Sequence, residues 1–196
     1  MIKNAHPIGG FQLVRIVSGS KGGLRLKTKN DISTRATLEK VREAMFDMVM
    51  IYIPGAYVLD LFSGNGCLGI EALSRGAERC VFNDKDKECV KIIRDNLAYT
   101  GLEEKASVMM NDYTECLARL CTKGEKFDII LLDPPYGRGF IEPSVTLANK
   151  KDLCSDHCFV IAETDSKEIL PEQIGSFALQ KKRKYGGTTV HIYRNF

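Results

Sequence analysis

Several things are missing from this chain of 196 residues, and each absence removes a class of protein. No apolar run comes near the roughly 20 residues that cross a bilayer. The opening "MIKNAHPIGG" has no apolar stretch of the kind a secretory leader carries. Seven cysteines are present but no CxxC pair. An odd count without an export signal reads as reduced thiols of a cytoplasmic protein. Cys154, His157 and Cys158 stand close together, yet Phe159-Val160-Ile161 follow directly, so a strand start is expected there and no metal. Internal repeats and low-complexity linkers are also lacking. With 44% hydrophobic and 27% charged residues, what remains is one ordinary soluble domain with at most a small appendage.

The net charge of +3 hides a division. Residues 1–45 hold nine Lys/Arg against three acids (+6), residues 173–196 hold five and no acid (+5), and residues 46–172 hold 14 against 22 (−8). Basic ends around an acidic middle suit a chain whose ends meet a polyanion. Two solvated hairpins that carry lysines would show the same numbers.

"FQLVRIV" and "GGLRLKT" flank "SGSK" as short alternating runs, which predicts a hairpin near residues 11–28. Leu38, Val41, Met45 and Met48 recur at helical spacing through "TLEKVREAMFDMV". Beyond Pro54 and Gly55 the chain alternates. The order is strand "YVLDLF", helix "CLGIEALSRG", strand "RCVFND", a helix over 86–100 stopped by Gly101, and strand "ASVMM". A helix over 113–122, strand "FDIILLD", a helix near 141–150 and strand "CFVIAE" follow. Such alternation predicts an α/β fold with a mostly parallel sheet covered on both faces. The pattern breaks at "FALQKKRKYGGTTVHIYR", an antiparallel hairpin about Gly186-Gly187.

"VLDLFSGNGCLG" places Gly64-x-Gly66-x-x-Gly69 between a strand and a helix, and Asp84 ends the next strand. Glycines let backbone approach a ligand closely, and the acid can accept two ribose hydroxyls. A nicotinamide dehydrogenase shows much the same pattern. Asp60 tilts the choice, because a carboxylate four residues before Gly64 suits a sulfonium with its amino group better than a pyrophosphate. The plain alternative is a strand-end acid paired with a lysine. Asp112 can accept an adenine amino group, cap the helix that starts at Tyr113, or do both.

At the end of an apolar run, "DIILLDPPYG" sets an acid, two prolines and an aromatic ring where ligands of open α/β sheets bind. Pro135 disfavours helical geometry at Pro134, and both rings fix φ. The Asp133 carboxylate and the Pro134 carbonyl then form a rigid pair of acceptors suited to an NH2 group. Holding both hydrogens out of plane localises the nitrogen lone pair toward an electrophilic methyl. Asp133, taken at an ordinary value of ~4, accepts the proton only as the nitrogen becomes cationic. Tyr136 offers a ring on which a base stacks, worth roughly 1–3 kcal/mol, and stacking by itself needs no hydroxyl. A plain turn is the bland reading of the same four residues.

Asp60-Leu61-Phe62-Ser63-Gly64-Asn65-Gly66, "LGIEALSRGA" and Asp133-Pro134-Pro135-Tyr136 together resemble the S-adenosylmethionine-dependent amino-methyltransferases. "RATLEKVREAMFD" narrows the resemblance to the RsmD family, bacterial methyltransferases of a guanine N2 in small-subunit (16S) ribosomal RNA. It covers nearly all the chain from about Val14. It implies a Rossmann-like class I methyltransferase fold, with a seven-stranded, mostly parallel sheet and an antiparallel C-terminal hairpin, preceded by a basic N-terminal β-hairpin. Residues 1–36 would form that extension and 37–196 the methyltransferase domain. S-adenosylmethionine is the implied cofactor, held by Asp60, Phe62, Ser63, Gly64, Gly66, Asp84, Asp112 and Tyr113, with 133–136 catalytic. Two departures stand out: Arg35-Ala36-Thr37 replaces the family's Arg-Pro-Thr, and Tyr136 stands where Phe is frequent.

The implied partner is 16S rRNA or a partly assembled small subunit, met by a monomer in the cytoplasm. The expected phosphate contacts are Arg15, Lys21, Arg25 and Lys27 of the hairpin, with Arg35 and Arg42 closer to the chemistry. Lys181 to Lys184 are a second candidate. A DNA adenine-N6 methyltransferase would use the same tetrad but normally carries an added recognition region. A nicotinamide oxidoreductase leaves the double proline unexplained. A non-catalytic RNA-binding module leaves the acid-lined loop unexplained.

Overall fold

The computed structural model describes residues 12–29 and 35–196. A two-stranded hairpin, β1 (Gln12–Arg15) and β2 (Arg25–Thr28), leads into helix α1 (Arg35–Asp47). Alternation follows: β3 (Tyr57–Asp60), α2 (Cys67–Ser74), β4 (Arg79–Asn83), α3 (Lys87–Thr100), β5 (Ala106–Met109), α4 (Tyr113–Thr122), β6 (Phe127–Leu132), α5 (Ile141–Lys150) and β7 (Cys154–Asp165). The chain closes with β8 (Gln173–Ile174), β9 (Phe177–Tyr185) and β10 (Thr188–Asn195). Cys154 and Cys158 lie on β7, whose start at Cys154 precedes the expected one because Cys154 pairs with Phe127 of β6.

The main sheet runs β5-β4-β3-β6-β7-β10-β9-β8. The first five strands are mutually parallel, and β10 enters antiparallel between β7 and β9. The seven expected strands are all present, and the two-residue β8 adds an edge. Strand order reverses between β3 and β6, and the crevice outside their carboxyl ends is where such sheets bind ligands.

Alternation along each strand builds two cores. Val58, Phe82, Ile129, Leu131 and Ile161 face α1, α2 and α3, while Leu59, Val81, Ile130, Leu132 and Val160 face α4 and α5. The hairpin belongs to the first core through Val14, Ile16 and Leu26, which leaves Arg15, Arg25 and Lys27 outward. Its turn is pressed onto the end of α2. A Cβ on Gly19, at φ +84°, would stand 1.9 Å from the Ser74 carbonyl oxygen.

Glu71 of α2 fastens this assembly. Fully buried, it accepts from the backbone N–H groups of Val17 (2.7 Å) and Ser18 (3.0 Å). It also pairs with Arg75 at 2.8 Å and with Arg42 of α1 at 3.7 Å. Arg42 in turn donates through Nη2 to the Arg15 carbonyl at 2.5 Å. One carboxylate thus ties the hairpin and two helices together, with both cations nearly out of solvent. Removing one partner of a buried pair strands the other, at a cost of about 3–5 kcal/mol. Glu71→Ala is expected to lower unfolding stability on that scale in urea titrations. Glu39→Ala, which breaks the exposed pair with Arg15, is expected to change it by less than ~1 kcal/mol.

Candidate active site

Each of the five parallel strands delivers an acid to its carboxyl end or just beyond it: Asp60 (β3), Asp84 (β4), Asp112 (β5), Asp133 (β6) and Glu163 (β7). The pleat puts Asp60, Asp133 and Glu163 on one face. Each stands two residues beyond a side chain of the first core, Val58, Leu131 or Ile161. Register aligns Leu132 with Ala162, which sets Asp133 abreast of Glu163.

The glycine loop is clasped from below. Asp60 is fully buried and its Oδ2 accepts from the Gly69 N–H at 3.0 Å, while its Oδ1 has no partner. Burial pushes the Asp60 carboxyl up to about 7, with the Asp84 charge adding to the rise and the Gly69 N–H opposing it. Asp84 accepts from Gly64 N–H through Oδ2 and from Asp86 N–H through Oδ1, both at 2.8 Å. The Ser63 hydroxyl donates to the Asp60 carbonyl at 2.7 Å and accepts from Asn83 N–H at 3.0 Å. Gly66, at φ +79°, opens α2 in a left-handed conformation that favours glycine.

Above the loop lie two adjoining hollows that share Phe62, Gly64 and Asp133. The first, about 400 Å³, takes its walls from Asp84, Asp112, Tyr113 and Phe140 on one side and from Asp133 to Tyr136 on the other. Phe62, Tyr113 and Phe140 stand with ring centroids 5.7–5.8 Å apart, a wall suited to a flat heterocycle. Asp112 caps α4, accepting from Thr114 N–H at 3.0 Å, and that donor holds its carboxyl below the usual range. The second hollow, about 240 Å³, is lined by Val14, Arg42, Ser63, Asn65, Cys67 and Glu163 besides the shared residues.

Asp133 lines both hollows and its side chain is open to solvent there. The protein around those hollows, with Glu163 and then Asp60 nearby, raises its carboxyl above the ordinary range. The ordinary value expected from sequence is therefore overturned, because three acids from separate strands meet on one face. Glu163 is only 6% exposed, and burial raises it too, against a hydrogen bond from Tyr136 and the Arg42 charge. The Tyr136 hydroxyl donates to Glu163 Oε1 at 2.7 Å, an attachment that a purely stacking ring would not need. A recess floored by mutually repelling carboxyls and walled by rings is chemically suited to an organic cation.

Asp133, Pro134, Pro135 and Tyr136 thus share one hollow with Phe62, Gly64, Asp84, Asp112 and Tyr113. Asp60 and Gly66 line neither hollow; they shape the loop beneath. Arg15, Arg25 and Lys27 point outward, and Lys27 meets Asp95 at 3.4 Å. Lys21 lies in the hairpin turn, its backbone N–H held by the Ser74 hydroxyl oxygen at 2.9 Å. Arg35 opens α1, and its side chain lies outside the described residues. Arg42 corrects an expectation: at 6% exposure and paired with Glu71 it faces the second hollow, unavailable to a phosphate outside. Sequence reading missed Glu163, and it missed Asn111 and Phe140, which both line the first hollow. The signal for Glu163 was there, an acid directly after the apolar run "FVIA".

A family model described as conserved hypothetical protein 95 matches residues 14–194. The chain belongs to this family. It corresponds to the RsmD family that the motifs resemble. YlbH of Bacillus subtilis, whose name assigns it provisionally to the rRNA methyltransferases, is 39% identical over 92% of this chain and 98% of its own. Ribosomal RNA small subunit methyltransferase D of Escherichia coli is 28% identical over 94% of this chain and 91% of its own. Among solved structures, Escherichia coli yhhF superposes with a TM-score of 0.83 at 27% identity, covering 94% of this chain and 98% of that one.

Family membership makes the glycine loop a testable element. A Cβ on Gly69 would stand 2.2 Å from the Phe82 ring and 2.8 Å from Cys80 Sγ, so α2 would have to lift from the sheet. Gly69→Ala is expected to destabilise the fold by about 1–3 kcal/mol in urea titrations. Gly124→Ala lies far from the site with open space around it. It carries only the left-handed backbone penalty of about 1–2 kcal/mol and serves as the control.

Proposed function

We infer that this chain is an S-adenosylmethionine-dependent rRNA methyltransferase, and we propose that its acceptor is the exocyclic N2 amine of a guanine in small-subunit RNA. Family membership over residues 14–194 supports the first statement. The observation that carries the second is the Asp133-Pro134-Pro135-Tyr136 wall in the same hollow as the glycine loop and Asp84. No helix among the described residues is long and apolar enough to cross a membrane, and the proposed workplace is the cytoplasm, on RNA or a partly assembled subunit, as a monomer.

The residues present fit the cofactor. Its cation suits a recess lined by Asp84, Asp112 and Asp133, and Asp60, beneath the glycine loop, retains an unpartnered buried oxygen. Asp84 would take the ribose hydroxyls with the lone pairs its backbone donors leave free. Asp112, Tyr113, Phe62 and Phe140 would hold the adenine. When bound, S-adenosylmethionine supplies an electrophilic methyl on a positively charged sulfur and takes up the C–S electron pair on transfer.

The chain's own residues manage the amine. The Asp133 carboxylate and the Pro134 carbonyl accept its two hydrogens, and the prolines keep both acceptors fixed. Tyr136 stacks on the base. As the nitrogen forms its bond to the methyl carbon it becomes cationic, and Asp133 takes the released proton. Its raised affinity for protons makes it a better acceptor than an ordinary aspartate.

For the RNA, the proposed arm is residues 1–36, appended to the methyltransferase domain of 37–196. Arg15 and Arg25 are directly opposite partners on β1 and β2, an arrangement of like charges that destabilises a hairpin by itself and suits a polyanion. Lys181 to Lys184 are all exposed along β9, where β8 covers only Phe177 and Ala178. Lysines on an open edge also block strand addition, so the N-terminal hairpin has the stronger case.

Two measurements test this. Asp60→Ala, which removes the acceptor that holds Gly69 N–H and so the anchor of the glycine loop, should weaken S-adenosylmethionine binding by about tenfold or more in calorimetric titration, the scale of a lost ~1.5–3 kcal/mol hydrogen bond to a charged group. Asp133→Ala should keep cofactor affinity within about threefold and lose methyl transfer by ~100-fold or more; a loss mainly in cofactor affinity would put Asp133 in the wrong role. Separately, replacing Arg15, Lys21 and Arg25 by Ala should weaken RNA binding and flatten its salt slope by about 2 units. An unchanged slope would make the hairpin a solvated surface.

A further inference from the structure

Glu163 stands at the end of β7, abreast of Asp133, with its side chain facing the second hollow. It is 6% exposed and held in place by a tetrad residue, the Tyr136 hydroxyl donating to Oε1 at 2.7 Å. Among the described residues no hydrogen bond reaches Oε2. Burial raises its carboxyl, and that donor and the charge of Arg42, which lines the same hollow, oppose the rise. The site therefore offers a buried acceptor beside the Asp133–Pro134 pair.

The exocyclic amines of the bases differ in their neighbours. Adenine N6 lies beside N1 and N7, both acceptors, and cytosine N4 lies beside the acceptor N3. Guanine N2 alone has a ring donor next to it, N1–H. An acceptor placed beside the clamp for the amine meets a hydrogen in guanine and a lone pair in the others. A buried carboxylate facing a lone pair loses its partner and keeps its desolvation cost.

Building on the reading of the acceptor as guanine N2, we propose that Glu163 is the specificity-determining residue of this enzyme, accepting guanine N1–H through Oε2 while Tyr136 steadies Oε1. The probe is 2-aminopurine at the target position of the RNA, because it keeps the N2 amine and replaces N1–H by a lone pair. The parent protein is expected to favour guanine over 2-aminopurine by about 100-fold or more in kcat/KM. In Glu163→Gln the amide can donate to N1, and the preference should narrow by about tenfold or more. Tyr136→Phe keeps the ring but frees Oε1, and should narrow it to a lesser degree. An unchanged ratio in both variants overturns the proposal, as does an equal loss on both bases. Methylation by the parent protein at an adenine or a cytosine would instead overturn the guanine N2 reading itself.

Discussion

The buried Glu71 carboxylate is the joint on which the site's shape depends. Val17, Ser18, Arg42 and Arg75 all bond or pair with it, so hairpin, α1 and α2 take their positions from one side chain. Val14 and Arg42 form part of the wall of the second hollow, and both are where they are because of this joint. A short hairpin of two four-residue strands has little stability of its own. Here it gains a hydrophobic face in the first core and a charged anchor at its root, and its outward cations are presented on a fixed platform.

The other constraint is electrostatic. Five parallel strands bring five acids to the same edge of the sheet, and the pleat gathers three of them on one face. Burial and the Asp84 charge push Asp60 up, and the surrounding protein with the Glu163 charge pushes Asp133 up. In the proposed reaction Asp133 would receive the proton, because a carboxyl with raised proton affinity is the better recipient when an amine becomes cationic. The Asp60–Gly69 bond connects these acids to the glycine loop, so the electrostatics and the shape of the loop cannot be altered independently.

Family likeness and chemistry converge without repeating each other. The match across residues 14–194 concerns the whole chain, whereas the hollow, the aromatic wall and the tetrad argue for methyl transfer to a planar amine. Tyr136 joins the two levels. Its ring faces the hollow while its hydroxyl holds Glu163, so the side chain that would stack on a base also orients the acid beside it.

Much was readable beforehand, because its causes are local. Period-2 and helical patterning marked nearly every element, and Gly66 and the Asp133 tetrad carry their geometry in residue type: a left-handed turn and two locked φ angles. Asp84 and Asp112 were legible for the same reason, as acids just past strand ends and just before helix starts. Arg42, Glu71 and Glu163 were not. An arginine reads as a surface cation until a fold buries it against an acid 29 residues away, and Glu71 looked like one more residue of an amphipathic helix. The raised proton affinity of Asp133 was equally hidden, since it arises from Glu163 and Asp60 on neighbouring strands. Sequence alone determined the order of elements, the glycine loop and the rigid acceptors; only tertiary structure decided which charges lie inside and which acids face each other, because burial and strand register are properties of the assembled sheet.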